Sequence, residues 1–392
     1  YHIGTKGRSV VFVKTGASTA GSLGTPDESE FSGTGTVTFA NAPADDFEIV
    51  VEFLSGATFD GTGSPDADVS YRESLDGGRT FSGTKTYATT DTEITIADSG
   101  GVTLAIDTGT TVAGDKVSVR ATALNFNATE IGDAIAAMGE SAIQWDLAEV
   151  VGPLDGSLYD AVETAFAALE GKAWIGQFRT PDEGETEAQY LTAFSTALGA
   201  KADTSAHIVA GAAEITSSVS LRKYRRSPVV TVASLAGSVT EEVDLADVNL
   251  GALTGVSIRD ANGNPKHHDE LINPGLDDAR AIVLRTFDGA QGVYVNNPNT
   301  FSANGSDFEL LQHRRVMNRA KRALRGYFTR RLSKPIAVNA STGFILESEA
   351  LEIEAGANAI LRGVLLAKPK ASAATVTLSR DDNLLSTKTL TG

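Results

Sequence analysis

Along the first third of the chain, apolar and polar residues alternate in short runs broken by glycine and aspartate. GTVTFA (35–40), FEIVVEF (47–53), EITIA (93–97), VTLAI (102–106) and KVSVRA (116–121) each carry the two-residue period of a half-buried strand. GTGSPDAD and LDGGRT are turn clusters between such runs. The spacing predicts a small all-β sandwich over about 21–125. Ahead of it, residues 1–20 form an N-terminal arm with one expected strand, SVVFVK (9–14).

After Asn127 the period lengthens to that of helices. A helix is expected over 129–141, then a short buried strand at Glu149–Gly152. Ser157 is placed to cap a helix with Leu158, Val162, Phe166 and Leu169 on one face and Gly171 as its stop. AWIGQF (173–178) reads as a strand. A helix with Tyr190, Leu191, Phe194 and Leu198 inward follows, ended by Gly199. HIVAG (207–211) and PVVTVA (228–233) read as further strands. Strands alternating with helices of this length predict a mostly parallel sheet covered on both faces, in a middle domain of residues 126–235.

The last third changes order again. GVSIRD (255–260), AIVLRTF (281–287) and GVYVNN (292–297) read as strands. A long helix is expected from Ser306, whose S-D-F-E spacing to Glu309 makes a capping box, to about Leu332. Its apolar side would carry Phe308, Leu311, Ala320, Leu324, Tyr327 and Phe328. A second helix is expected over 347–366, closing a C-terminal core domain of residues 236–371. The remaining arm, 372–392, reads as a strand followed by a loose end. The fold class expected is α+β multidomain: an α/β core from the middle and C-terminal regions, an inserted all-β sandwich-like domain, and strand-forming terminal arms.

Composition narrows the chemistry. The 392 residues include no cysteine, which excludes disulfides, zinc–cysteine sites, iron–sulfur clusters and thiol catalysis. The formal charge of −17 argues against wrapping a nucleic-acid backbone. No apolar run reaches the roughly 18 residues of a membrane helix, so no direct membrane insertion is expected. Tyr1–Val10 lack the layout of a signal peptide, and without an initiator Met a leader removed upstream stays open. The charge is uneven: residues 1–220 sum to −21 and residues 221–392 to +4. His313–Lys334 holds nine basic residues and no acid: Arg314, Arg315, Arg319, Lys321, Arg322, Arg325, Arg330, Arg331 and Lys334. Such a stretch is either a solvated helix face or a surface for a partner.

Catalytic and cofactor motifs are missing. Neither Gly33/Gly35 nor Gly61/Gly63 continues to a third glycine before a helix, and there is no Gly-Lys-Ser/Thr loop or G-x-S-x-G elbow. His267-His268-Asp269-Glu270 is the one dense set of metal-ligand types, and adjacent loop residues rarely converge on one ion without a distant ligand. Asp60, Asp66 and Asp68 lack EF-hand spacing and read as turn chemistry. No cofactor and no enzymatic activity are expected. One local motif is sharper: Ser74-Leu75-Asp76-Gly77-Gly78-Arg79-Thr80-Phe81 resembles the S-x-D-x-G-x-T-F Asp box of sialidases. Its expected role is a structural β-turn built by Ser74, Asp76, Gly78, Thr80 and Phe81.

From about Lys266 to Gly343 the chain carries an ordered series: PGLDDAR, Arg285-Thr286-Phe287, Gly292–Tyr294, NPNTF, Gly305-Ser306-Asp307-Phe308 and Arg314-Arg315-Val316. This series, over about 80 of the 392 residues, resembles the C-terminal core of contractile-tail sheath proteins of myophages, R-type tailocins and related injection machines. The resemblance implies a subunit that stacks as hexameric rings in a helical tube around an inner tail tube, and contracts to drive that tube through a cell envelope. It implies homo-oligomeric contacts, an inner tail tube partner, and baseplate and tail terminator proteins at the ends. It places the particle in a virion tail, or an extracellular contractile particle, assembled in the host bacterial cytoplasm. Terminal arms in that family donate strands to neighbours, a role that would fall here to Val10, Val11, Phe12 and Val13 and to Thr375, Val376, Thr377 and Leu378. The basic helix would then face a neighbouring subunit or the tube. Two other readings stay open on the residues alone: a carbohydrate-binding or sialidase-like β module with an appended α/β domain, and an α/β enzyme using the middle domain.

Overall fold

A computed structural model describes residues 10–143, 145–182, 184–217, 221–258, 266–269, 275–303, 305–367, 370–387 and 389–390. Alternation in the first third yields ten short strands: β1 (Ser22–Leu23), β2 (Val37–Ala40), β3 (Phe47–Phe53), β4 (Ala57–Asp60), β5 (Val69–Ser74), β6 (Lys85–Tyr87), β7 (Ile94–Thr95), β8 (Thr103–Ile106), β9 (Thr108–Thr111) and β10 (Lys116–Thr122). They form an antiparallel sheet in the order β1-β10-β3-β5-β6, a second of order β2-β8-β7, and a β4-β9 ribbon. In the β10–β3 pairing Val117 lies opposite Val51 and Val119 opposite Ile49. Their side chains meet Val37, Leu104 and Ile106 of the second sheet in one core. The period-2 pattern therefore does what it predicts, because one face of each strand is removed from water. Thr19 and Asn125 exchange backbone hydrogen bonds of 3.0 and 2.9 Å, so the chain enters and leaves this β domain at one neck.

The middle of the chain builds α1 (Ala128–Glu140), β11 (Leu147–Pro153), α2 (Gly156–Ala167), β12 (Ala173–Gln177), α3 (Glu187–Leu198), β13 (Ala206–Val209), the β14 (Ala213–Thr216)–β15 (Lys223–Arg226) hairpin and α4 (Val229–Ser238). β11, β12 and β13 pair in parallel, in that order. Beyond a helical turn at Val248–Leu250 come β16 (Val256–Ser257), β17 (Leu284–Phe287), β18 (Ala290–Val295), α5 (Leu311–Thr329), α6 (Glu347–Leu361) with a π-helical turn at Arg362–Leu366, and α7 (Leu384–Thr387). Ile282 forms a parallel bridge to Val209, which adds a rung from the C-terminal third to the sheet.

One face of this sheet buries Tyr159, Phe166, Trp174 and Phe194 together with Ala281, Val283 and Phe301. The other buries Ile175, Val209 and Val232 with Ile282, Val293 and Leu311. Residues on both sides of position 235 thus share both cores, and the α/β body is one packed unit. The whole is a mixed α/β structure with several separate small sheets.

Several expectations need correction. PVVTVA (228–233) is not a strand but the start of α4, opened at Pro228, with Val229, Val232, Ala233 and Ala236 buried at helical spacing. Burial of that stripe outweighs the weak helix preference of valine. Asp155, not Ser157, caps α2: its carboxylate accepts from the Ser157 and Leu158 amides at 2.9 and 2.7 Å. Glu149–Gly152 belongs to an edge strand, with Val151 60% exposed, instead of a fully buried one. The Ser306–Glu309 box does not start the long helix. An antiparallel bridge between Asn299 and Leu310 engages the chain there, and the Leu311 amide donates to Pro298 instead. Of SVVFVK, Val10–Lys14 are described and form no strand; Ser9 lies outside the described residues. Thr375–Leu378 is likewise extended without being in a sheet. Both keep the right pattern but have no ladder partner among the described residues, and a strand exists only as part of a ladder.

Trp174 is fully buried, stacked on Phe166 at 5.7 Å and tilted against Tyr159 at 5.4 Å. Trp174→Ala is expected to lower stability by about 3–5 kcal/mol, read from urea unfolding followed by the fluorescence of Trp145, the other tryptophan.

Candidate functional site

Where chemistry was sought, the side chains are committed to structure. His267 Nδ1 lies 2.7 Å from Thr286 Oγ1, and Asp269 accepts from Arg285 at 2.9 Å; Glu270 is outside the described residues. Asp60 holds the Thr62 amide at 3.1 Å, Asp66 the Thr58 amide at 2.8 Å and Asp68 the Thr89 amide at 3.0 Å, the turn chemistry expected of them. Among the described residues no group of three or more His, Cys, Asp or Glu is placed to hold a metal. A cleft of about 330 Å³ is lined by Asp277, Asp278 and Arg280 together with Asn297 and Asn299. There Asn297 and Asn299 donate to Asp277, each at 2.9 Å, and Arg280 donates to the Phe301 and Ser302 carbonyls at 2.7 Å. These contacts explain the order of PGLDDAR and NPNTF: each supplies polar groups that pin the other beside the sheet.

The Asp box is a hydrogen-bonded turn. Asp76 Oδ1 accepts from the Thr80 amide at 2.8 Å and from Ser74 Oγ at 2.7 Å, and Oδ2 accepts from Thr80 Oγ1 at 2.7 Å. Ser74 Oγ accepts from the Gly78 amide at 2.9 Å. Arg72 lies 4.3 Å over the Phe81 ring. Although burial opposes ionisation of Asp76, its bonds to Thr80 and Ser74 hold the carboxyl below the usual carboxylate range. Gly77 at φ 72° passes so close to Glu48 that a β-carbon would sit 2.8 Å from Glu48 Oε2.

The nine-cation stretch divides by burial. Arg314 reaches Thr204 Oγ1 at 3.2 Å, and Arg315, 7% exposed, donates to the Val239 carbonyl at 3.2 Å. Arg322 pairs with Asp146, Arg325 with Glu170, and Arg331 with Glu352 at 3.3 Å. Arg319, Lys321, Arg330 and Lys334 lie exposed on the outer side. So five arginines of the expected contact set (Arg314, Arg315, Arg322, Arg325 and Arg331) have partners inside the subunit, and a smaller exposed group is left for other contacts. The sequence also concealed His207, fully buried behind α5 with Nδ1 3.1 Å from the Asn299 carbonyl. Burial pushes it down to about 4, so it is neutral at pH 7.

The two arms differ. Val10, Val11 and Val13 are exposed and Phe12 is 91% exposed. Thr375–Leu378 instead runs along α6. The Val376 amide donates to Asn358 Oδ1 at 2.7 Å and its carbonyl accepts from Asn358 Nδ2 at 3.2 Å; the Leu378 amide donates to Glu354 Oε1 at 2.7 Å. Arg380 closes the segment with contacts of 2.7 and 3.0 Å to Glu354 and 2.8 Å to Glu347. Two helix side chains thus stand in for part of a neighbouring strand.

Solved structures similar to this chain include the sheath complex of an extracellular contractile injection system, PVC, in its contracted state, at 16% identity and TM-score 0.42, covering 67% of this chain and 64% of that one. Another is the baseplate of the anti-feeding prophage, at 14% and 0.39, covering 62% and 60%. A sheath tail protein of Desulfitobacterium hafniense follows at 12% and 0.39, covering 85% and 71%; one from Listeria innocua has the same two values, covering 86% and 75%. This chain spans under two thirds of the length of the first two of those chains. No protein-family model matches it, and no curated protein does.

The Glu354 carboxyl is pulled down to about 2 by the Arg380 guanidinium and the Leu378 amide. Because this lies below the unfolded value of about 4.3, the stabilisation is complete above that value and fades as pH falls toward 2. The protection factor of the Leu378 amide is therefore expected to fall between about pH 4 and 2. Glu354→Gln should lower the same protection factor at neutral pH, measured by hydrogen–deuterium exchange.

Proposed function

We propose that this chain is the structural subunit of a contractile tail sheath, assembling as stacked hexameric rings in a helical tube around an inner tail tube. The observation that carries the reading is the state of the termini. Val10–Val13 present apolar side chains to water, and Thr375–Leu378 keeps strand alternation with its Val376 and Leu378 amides bonded to side chains of α6 instead of a neighbouring strand. Extended segments of this kind are completed by pairing with another chain. The ordered PGLDDAR to Arg315 series, whose polar residues lock the loop over the parallel sheet, supports the same reading.

In this reading the arms join neighbouring copies, and Arg319, Lys321, Arg330 and Lys334 meet acidic surface on a second copy or the tube. Baseplate and terminator proteins cap the stack, in a virion tail or extracellular particle assembled in the bacterial cytoplasm. The work is mechanical: bodies rotate rigidly while the arms hold register. Each exposed ion pair exchanged contributes about 0–1 kcal/mol, so contraction depends on many subunits switching together. No helix among the described residues is long and apolar enough to cross a membrane. Ser74, Asp76 and Thr80 of the Asp box spend their polar groups on its own turn, which supports a structural role for the motif.

Negative-stain microscopy of the purified protein is expected to show hollow tubes or six-fold rings; a monodisperse monomer at every salt concentration would sink the proposal. Truncation after Ala371 should abolish tubes while the far-ultraviolet circular dichroism stays folded. Persistence of tubes would remove the strand-donating role of the C-terminal arm.

A further inference from the structure

One side chain of the Asp-box turn also reaches beyond it: Arg79. Its guanidinium is anchored on the β-domain side, where Nη1 donates to the Asp76 carbonyl and, at 3.1 Å, to Glu48 Oε2. Its Nε lies 3.1 Å from Glu214 Oε2, on β14 of the α/β body. Glu214 is a carboxylate only 4% exposed, and it also meets Lys223 Nζ at 3.3 Å and Ser257 Oγ at 3.1 Å. A few residues away the second strand of the same hairpin makes a parallel contact. Arg226 Nη2, its guanidinium 4.8 Å over the Tyr224 ring, donates to Asp45 Oδ2 at 2.7 Å just ahead of β3. On β10, directly opposite Glu48, Arg120 Nη2 donates to Thr180 Oγ1 at 2.7 Å. The Arg79–Glu214, Arg226–Asp45 and Arg120–Thr180 contacts each cross between the β domain and the body, and each is ionic or charge-assisted. The covalent connection is the single neck at Thr19 and Asn125.

We infer that the Asp box and the β14–β15 hairpin form a breakable ionic joint that sets the angle of the β domain on the α/β body, with Arg79–Glu214 as its central contact. The rigid turn explains why the box is needed here: Asp76 fixes the loop, Gly77 lets it pass against Glu48, and the fixed loop aims Arg79 outward at a buried carboxylate. An apolar joint would hold at any ionic strength. A joint made of charges loosens as salt screens them, or as a neighbour's charges compete for Glu214, and the β domain then swings about its neck. The inference holds whether or not the chain is a sheath subunit.

The absence of cysteine allows spin labels to be placed cleanly in the full chain, at Thr92→Cys on the β domain and Thr164→Cys on α2, both exposed. Pulsed dipolar spectroscopy on the monomer at low salt should give one narrow distance distribution. Arg79→Ala and Glu214→Gln should each broaden it, as should about 1 M salt, where the Debye length is about 3 Å. Lys116→Ala, which removes the Lys116–Glu30 pair within the β domain, should leave it narrow. Should Arg79→Ala disturb the turn itself, Glu214→Gln decides, since it leaves the box intact. A distribution that stays narrow in Glu214→Gln and at high salt overturns the joint, and this outcome is independent of whether tubes form.

Discussion

The parallel pairing of β11, β12 and β13, with the added rung between Val209 and Ile282, is the constraint on which the rest of the subunit rests. A parallel sheet has to be covered on both faces. Here α1, α2 and α3 serve one face, while α4 and the start of α5 serve the other. Because Ile282 hydrogen-bonds into the sheet, the PGLDDAR loop ahead of it and NPNTF beyond it are brought to one sheet edge. Asp277 and Arg280 then find their partners among the asparagine side chains and carbonyls of residues 297–302. Half-buried polar groups are satisfied by such partners, and this network supplies them.

Charge adds a second layer of organisation. The acidic first 220 residues and the basic stretch around α5 are joined within the subunit: Asp146 and Glu170 of the acidic part hold Arg322 and Arg325. The bulk −17 therefore describes surface that remains after internal pairing. What stays exposed on α5 and just beyond it, together with the apolar N-terminal arm, is surface that one copy of the chain does not cover. An assembly held by such contacts is sensitive to ionic strength in a way that its cores are not. The same contrast applies to the β domain, whose core is apolar but whose attachment to the body is ionic.

The all-β region and the helices α1, α2, α3 and α6 were legible because their apolar residues recur at the period of the element that buries them. The Asp box was legible because a turn is decided by near neighbours: Ser74, Asp76 and Thr80 satisfy one another within a few residues. Arg79 reaching Glu214 was not legible, since the two are far apart in sequence and meet only after both domains have folded. His207 was equally hidden. A lone histidine in an apolar strand gives no signal of the neighbours that bury it.

The chain's local chemistry determined the strand period, the cap at Asp155, the turn at Asp76 and the uneven charge, each set by groups close in sequence. Tertiary structure alone decided that PVVTVA becomes a helix, because a β-branched run takes whichever form its burial surface demands. It also decided that S-D-F-E stops short of α5, because Asn299 bridges Leu310 first. And it decided that the two terminal arms stay outside the sheets of this chain. A strand is defined by its partner, and a single sequence names the segment that can pair without naming what it pairs with.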